Sequence, residues 1–310
     1  MKIIGEGTEP AGPASVEGVR EAINAIMELD LNVCTIDQIK AVVRELVRGV
    51  VFVAPVIQPG TTLFRARVFD SATPPEFLSD IGAPSPTKIS HCQRCNRAGQ
   101  AMFYATSGKG AALTECHVAP GQYVALSKWR TTLPVKLNQV GYTKTTFWRL
   151  GANRECPVWS SRNETEANKV AKEFLASAFS VDVPEWREEW YKLTAAITEI
   201  LIDNPEIGGL IYPTIPMSAR ADNVALRPRF VSAGVAFVSV HYMVVRERSG
   251  LKTNVDIFDF AKDVTDAGCL DWKGRREQWV LRKQGERLSF RVEHGERVAR
   301  DSAGNIVEPE

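Results

Sequence analysis

Arg65 and Arg67 stand two residues apart in the segment 61–69, where Leu63, Arg65 and Arg67 alternate with Phe64, Ala66 and Val68. Alternation of this kind predicts a strand, and on a strand both arginines project to one face. A third arginine, Arg94, follows in a polar loop with Asn96 and Gly99. Three guanidinium groups brought together would form a fork-shaped donor site suited to a pyrophosphate. Tyr104 adds a flat ring able to stack on a heteroaromatic or cationic ring. Glu115 ends the small, apolar run Ala111-Ala112-Leu113-Thr114, where a carboxylate either caps a local element or faces a pocket. Each residue also has an ordinary reading, with the arginines on the wet face of an edge strand and the tyrosine in a core strand.

Other reactive groups compete for attention. His91, Cys92, Cys95, Cys116 and His117 include a Cys-x-x-Cys and could supply four ligands to zinc, but they overlap the polar loop around Arg94, and buried free thiols are the better expectation. A Cys116/His117 dyad has poor geometry, because neighbouring side chains diverge on a strand or a helix. Gly108-Lys109-Gly110 lacks the full phosphate-loop pattern. The basic stretch 273–276 between Trp272 and Trp279 reads as a solvated face.

The elements that must position these groups are legible in part. Apolar stripes predict helices over 15–29 and from Ile39 to Val47, the second opened by a Thr35/Gln38 capping box. Four prolines make 71–86 a loop, followed by short strands at 101–106 and 123–126 with a helical turn at 110–116 between them. Helices are expected over 163–179 and from Pro184 to about Asp203, then strands at 209–212 and 231–245 and a terminal hairpin beyond Arg282. Alternating element types imply a mixed α/β core. The expected division is a helical N-terminal region over 1–59, a catalytic core over 60–235 and a strand-rich extension packed on it over 236–310.

The chain has 310 residues, 44% of them hydrophobic, enough for a large core. Thirty-eight basic residues against 37 acidic ones leave a net charge of +1, which gives no global attraction to nucleic acid or anionic membrane. No stretch approaches the roughly 18 apolar residues of a membrane span, and residues 1–13 lack a signal-peptide pattern, so a cytoplasmic location is expected.

Taken in order, Leu63-Phe64-Arg65-Ala66-Arg67, Arg94-Cys95-Asn96-Arg97-Ala98-Gly99, Phe103-Tyr104, Glu115 and Gly209-Leu210-Ile211-Tyr212-Pro213-Thr214, with Asn223 and Ala225-Leu226, resemble the RES domain over residues 61–229. The resemblance implies an ADP-ribosyltransferase-like core of twisted sheets with flanking helices. It also implies NAD-degrading activity of the kind seen in toxins of bacterial toxin–antitoxin pairs. It places the family's first arginine on Arg65 or Arg67, the second on Arg94, the tyrosine on Tyr104 and the glutamate on Glu115. The family's serine falls on Thr214, which keeps the hydroxyl but adds a methyl group, with Ser218 a nearby substitute. Glu115, Arg94 and Tyr104 then form the catalytic set, and Arg65, Arg67, Asn96, Tyr212, Thr214 and Asn223 the substrate-binding set.

NAD is the expected substrate and no metal is expected. Cleaving the nicotinamide–ribose bond passes through an oxocarbenium-like state that Glu115 would stabilise. Water as acceptor gives hydrolysis, phosphate gives phosphorolysis and a protein side chain gives ADP-ribosylation; the sequence does not read the acceptor. A non-catalytic nucleotide-binding or partner-binding module is a further alternative. No helix-turn-helix is evident, so an antitoxin would be a separate polypeptide, and a homo-oligomer is left open.

Overall fold

The computed structural model describes residues 15–157, 164–183, 187, 189–273, 289–293, 296–301, 303 and 305–307. The chain opens with helices α1 (Val16–Met27) and α2 (Ile36–Val47). Ser15 caps α1 by accepting from the Gly18 amide, and Thr35 and Gln38 close a reciprocal capping box on α2. The orphan donors of both first turns are thus met locally, which is why these boundaries are sharp.

Strands β1 (Val56–Ile57) and β2 (Thr62–Phe69) follow, then the short helix α3 (Leu78–Ile81), β3 (Phe103–Thr106), α4 (Lys109–Glu115), β4 (Tyr123–Thr131) and β5 (Val135–Gln139). Helices α5 (Lys144–Arg149), α6 (Glu166–Phe179) and α7 (Trp190–Leu201) lead to β6 (Ile207–Pro213) and β7 (Asp222–Leu226). Helix α8 (Pro228–Gly234) precedes β8 (Val235–Ser249), β9 (Lys252–Val264) and β10 (Leu270–Trp272), and β11 (Ser289–Glu293), β12 (Glu296–Arg300) and β13 (Ile306–Val307) form a separate small sheet.

Several expectations are corrected. The proline-rich segment 71–86 carries α3, and the strand expected over 231–245 begins only at Val235. Pro228 fixes the first turn of α8, so 228–234 is helical despite its β-branched content. Thr165 caps α6 by accepting from the Asn168 amide. Asn163, Pro184 and Leu288 lie outside the described residues. The terminal hairpin is present as the antiparallel pair β11/β12.

The main sheet has ten strands in the order β1-β5-β6-β7-β3-β2-β4-β8-β9-β10, antiparallel throughout except for β5/β6. It is therefore a mixed α/β architecture, in which the crossover joining the one parallel pair carries α5, α6 and α7. β8 lies against β4 from Val235 to Val244, so β8, β9 and β10 continue the same sheet.

Two apolar clusters cover one face of the sheet. Helices α1, α2, α6 and α7 bury Ile39, Val43, Leu175 and Ile197 with Leu210 and Tyr212 of β6. Helix α4 packs Ala112 and Leu113 on Ala66, Val124 and Leu126. A third cluster, built on Leu63, Phe103, Trp129 and Tyr242, occupies the opposite face. Between the two helical groups the sheet is loosely stitched. β2 and β3 meet at a single register pair, Phe64 with Thr106, whereas β2 pairs with β4 from Thr62 to Phe69.

Candidate functional site

A cavity of about 340 Å³ opens where β2 and β3 part, within the range of roughly 300–1,000 Å³ usual for small-molecule sites. Its floor comes from both sides of the opening: Phe64, Arg65 and Ala66 of β2, Tyr104 and Thr106 of β3, Tyr212 of β6 and Asn223 of β7. Thr106 is paired with Asn223 and Asn223 with Tyr212, so strand alternation puts these side chains on the same face. Glu115, Cys116 and His117 close one wall from the end of α4, and Gln93, Arg94, Asp182 and Tyr191 close the other.

Arg65 alternates with Phe64 and Ala66, so its side chain leaves the strand on the opposite face from theirs, while the residue still lines the cavity at the opening. Its guanidinium carbon lies 5.5 Å from the centre of the Phe103 ring, and Nη1 donates to the Tyr104 carbonyl at 2.9 Å. Its Nε is sealed from solvent without a hydrogen-bond partner. Burial pulls the guanidinium down to about 10, with the thiol of Cys116 opposing and the charge of Arg67 adding to the effect. A buried cation without a carboxylate partner is costly unless something anionic joins it.

Arg67 is not in the cavity wall; its Nη1 donates to the Asp80 carbonyl at 2.6 Å. Arg94 lines the cavity but spends both terminal nitrogens on the C-terminal end of α6, donating from Nη1 to the Phe179 carbonyl at 2.7 Å and from Nη2 to the Val181 carbonyl at 3.1 Å. Its guanidinium also sits 5.7 Å from the Tyr191 ring centre. The expected three-arginine fork is not assembled: Arg67 stands outside the cavity, and Arg94 and Arg65, which line it, each donate to backbone carbonyls.

The loop carrying Arg94 is pinned from below. The Tyr104 hydroxyl donates to Asn96 Oδ1 at 2.6 Å and accepts from the Cys95 amide at 2.9 Å, while Gly99, at φ 74°, turns its amide back to the Ile89 carbonyl. Burial pushes the Tyr104 phenol well above its usual range. Tyr104 therefore acts here as a neutral anchor for the loop, and Asn96, fully buried, is its partner rather than part of the cavity wall.

Glu115 is the carboxylate of the site. Asn223 Nδ2 donates to its Oε1 at 2.8 Å. Burial pushes its carboxyl up, while Asn223, Arg94 and His117 pull it down and Asp182 pushes it up. Thr214, expected from the sequence in the substrate-binding set, is fully buried and lies outside the wall, its hydroxyl donating to the Ala221 carbonyl at 3.2 Å. Ser218 sits beyond it in the same loop at φ 51° and does not line the cavity either.

Sequence reasoning passed over Gln93, Thr106, Asp182 and Tyr191 as site residues, and no local pattern marks them, since they arrive through tertiary packing. Cys116 and His117 also line the cavity. Cys116 donates to the Ala66 carbonyl and burial raises its thiol, which disfavours the thiolate a nucleophile needs. His117 follows α4 at φ 47°, the left-handed region that histidine enters more readily than most residues. Burial pushes the Cys95 thiol up to about 12. Among the described residues no three His, Cys, Asp or Glu side chains gather as metal ligands, and no helix is long and apolar enough to cross a membrane.

No family model matches the chain, and no curated protein matches it. The functional reading therefore rests on the cavity: one buried guanidinium without a carboxylate partner, one buried carboxylate and a lining that includes Tyr104, Tyr191 and Tyr212.

Proposed function

We propose that this chain is a RES-type enzyme with an ADP-ribosyltransferase-like core that cleaves the nicotinamide–ribose bond of NAD, by hydrolysis or phosphorolysis. The observation that carries the reading is the cavity that Arg65 and Glu115 both line, a buried cation without a carboxylate partner and a buried carboxylate on one ligand-sized space. An anionic ligand that also develops positive charge at a second point satisfies both groups, and NAD has this pattern. Its pyrophosphate meets the guanidinium, and its ribose becomes oxocarbenium-like as the bond breaks.

In the step itself the C–N bond electrons pass to the departing nicotinamide, which leaves neutral, so no general acid is required. Glu115 stabilises the positive charge on the ribose, and water or phosphate then adds to the same carbon, water releasing one proton to solvent as the C–O bond forms. Arg65 holds the pyrophosphate, and Arg94 and Tyr104 fix the shape of the wall. The hydroxyl of Thr214 has no part in this scheme. In keeping with the resemblance, we assign a toxic role restrained by a separate antitoxin.

Purified protein incubated with NAD, with and without phosphate, tests the reading by release of nicotinamide, alongside Glu115→Ala. Release that depends on Glu115 supports it, and a phosphate requirement assigns phosphorolysis. A folded wild type that releases none in either condition refutes it, whereas transfer of label from NAD onto a second protein replaces it with a protein-directed transferase.

A further inference from the structure

We propose that Asn223 is a positioning residue, holding one oxygen of the Glu115 carboxylate so that the other is presented to the ribose. The inference rests on the NAD-cleaving reading and adds to it a residue that acts through Glu115 rather than on the substrate.

Among the described residues, Asn223 is the one hydrogen-bond donor to that carboxylate, through Nδ2 to Oε1 at 2.8 Å. The two groups come from different elements, Glu115 in the wall from the last turn of α4 and Asn223 in the floor from β7. Asn223 is only 5% exposed, and its backbone is laddered on both sides, to Thr106 and to Tyr212. Its carboxamide consequently has a fixed origin, whereas Glu115 stands where a short helix ends and needs an external hold.

The residue type fits this task. A lysine or arginine here would neutralise the carboxylate and blunt its attraction for a developing cation. An aspartate would set a second negative charge beside it, and an apolar residue would leave a buried oxygen unpaired. A carboxamide donates one hydrogen bond without adding charge. The groups that face Glu115 are Arg94 from the loop before β3, His117 and Cys116 after α4, Asp182 after α6 and Tyr212 of β6. After burial, which raises the carboxyl, the bond from Asn223 is the foremost influence restoring its charged form.

The test uses the full chain with ¹³C-labelled glutamate side chains, the Glu115 signal being assigned by its loss in Glu115→Gln. Its titration is followed in wild type, Asn223→Ala and the near-isosteric Asn223→Asp, in the absence of NAD. Both variants are expected to move the Glu115 midpoint upward. Both should also lower kcat about 10- to 100-fold with KM little changed, and carry the acid limb of the rate profile upward with the midpoint. An unmoved Glu115 midpoint in either folded variant overturns the proposal, as does a loss expressed only in KM, which would make Asn223 a substrate contact. Because the titration needs no substrate, failure of the wild type to release nicotinamide refutes the NAD reading separately, while the midpoint still decides whether Asn223 holds Glu115.

Discussion

At Arg65 and Glu115 the site holds two groups whose burial costs stability, and the signs can be worked out separately. The Arg65 guanidinium is depressed from 12.5 to about 10, so the unfolded chain keeps this proton more tightly, and the buried charge opposes folding at every pH below about 10. Arg65→Met should therefore leave the melting temperature unchanged or raise it. Under the proposed NAD reading the same change removes a charged hydrogen bond to pyrophosphate, of roughly 1.5–3 kcal/mol, and so should raise KM for NAD about 10- to 150-fold. Calorimetry and steady-state kinetics on one variant check both signs, and a large fall in melting temperature would make Arg65 a structural residue instead. Glu115 is raised above the usual 4.5, so its ionisation opposes folding progressively as pH climbs past 4.5 and fully above the raised value. Its carboxylate is the form the chemistry needs, so kcat/KM should fall on the acid side with a midpoint above 4.5. Glu115→Gln should flatten that limb, lose about 10²–10³-fold in rate and cost no stability at neutral pH. Residue types exposed Glu115 in the sequence, since a carboxylate after Ala111-Ala112-Leu113-Thr114 needs a reason, whereas Arg65 and Arg67 stand there as equals. The fates of Arg67 and Arg94 were not legible there, because their acceptors are backbone carbonyls supplied by other elements, Asp80 after β2 and Phe179 at the end of α6.

Between elements, the loop that carries Arg94 is tied to the N-terminal helices by one cluster of charges. Arg97 donates to both oxygens of Asp37 on α2 and pairs with Glu199 on α7, which also accepts from Lys40 at 2.9 Å. Arg97 and Lys40 hold the Glu199 carboxyl below its ordinary value against the opposing effect of burial, and Arg97 does the same for Asp37. Depressed carboxylates stabilise above their unfolded values, and that contribution is lost as pH falls through the lowered ones. Glu199→Gln should cost about 1 kcal/mol at neutral pH after allowance for solvent screening, and should lessen the drop in melting temperature between pH 7 and pH 3. An unchanged pH dependence would show that the cluster does not brace the loop. The β6/β7 contact is less tolerant. A Cβ on Gly209 would stand 1.9 Å from the Ala225 carbonyl oxygen, a backbone atom that cannot move without parting the strands. Gly209→Ala should destabilise by about 3 kcal/mol or more, visible as a lowered urea midpoint. Elements with local signals were readable: the Thr35/Gln38 box, the stripes of α1, α2 and α6, and the alternation of β2. Others gave no such signal, since β5 and β7 are short strands whose place depends on partners far along the chain, and Val231 sits in a helix because Pro228 outweighs β-branched propensity.

For the whole molecule, the sparse pairing of β2 with β3 puts the cavity where the sheet can open. The strands on one side are tied to helices α1, α2, α6 and α7, and those on the other to α4 and the long β8/β9 hairpin, with Phe64 and Thr106 the lone register pair between them. A ligand that reaches Arg65 on β2 and the Glu115–Asn223 pair, with its asparagine on β7, spans this opening and favours the closed sheet over any state in which the halves part. Binding to the folded chain alone stabilises by RT ln(1 + [L]/Kd), about 2.7 kcal/mol at a hundredfold excess over Kd. A non-cleavable NAD analogue at that excess should raise the melting temperature by roughly 4 °C for a chain of this size. It should also slow amide exchange in β2, β3 and β7 together, while the α1/α2 pair exchanges as before. Pyrophosphate alone should reproduce the effect in β2 but not in β7, because it satisfies Arg65 without reaching the Glu115–Asn223 pair. Protection confined to one side of the opening with the full analogue would mean that the ligand does not bridge the sheet, and the cavity would then have to be read as two separate half-sites.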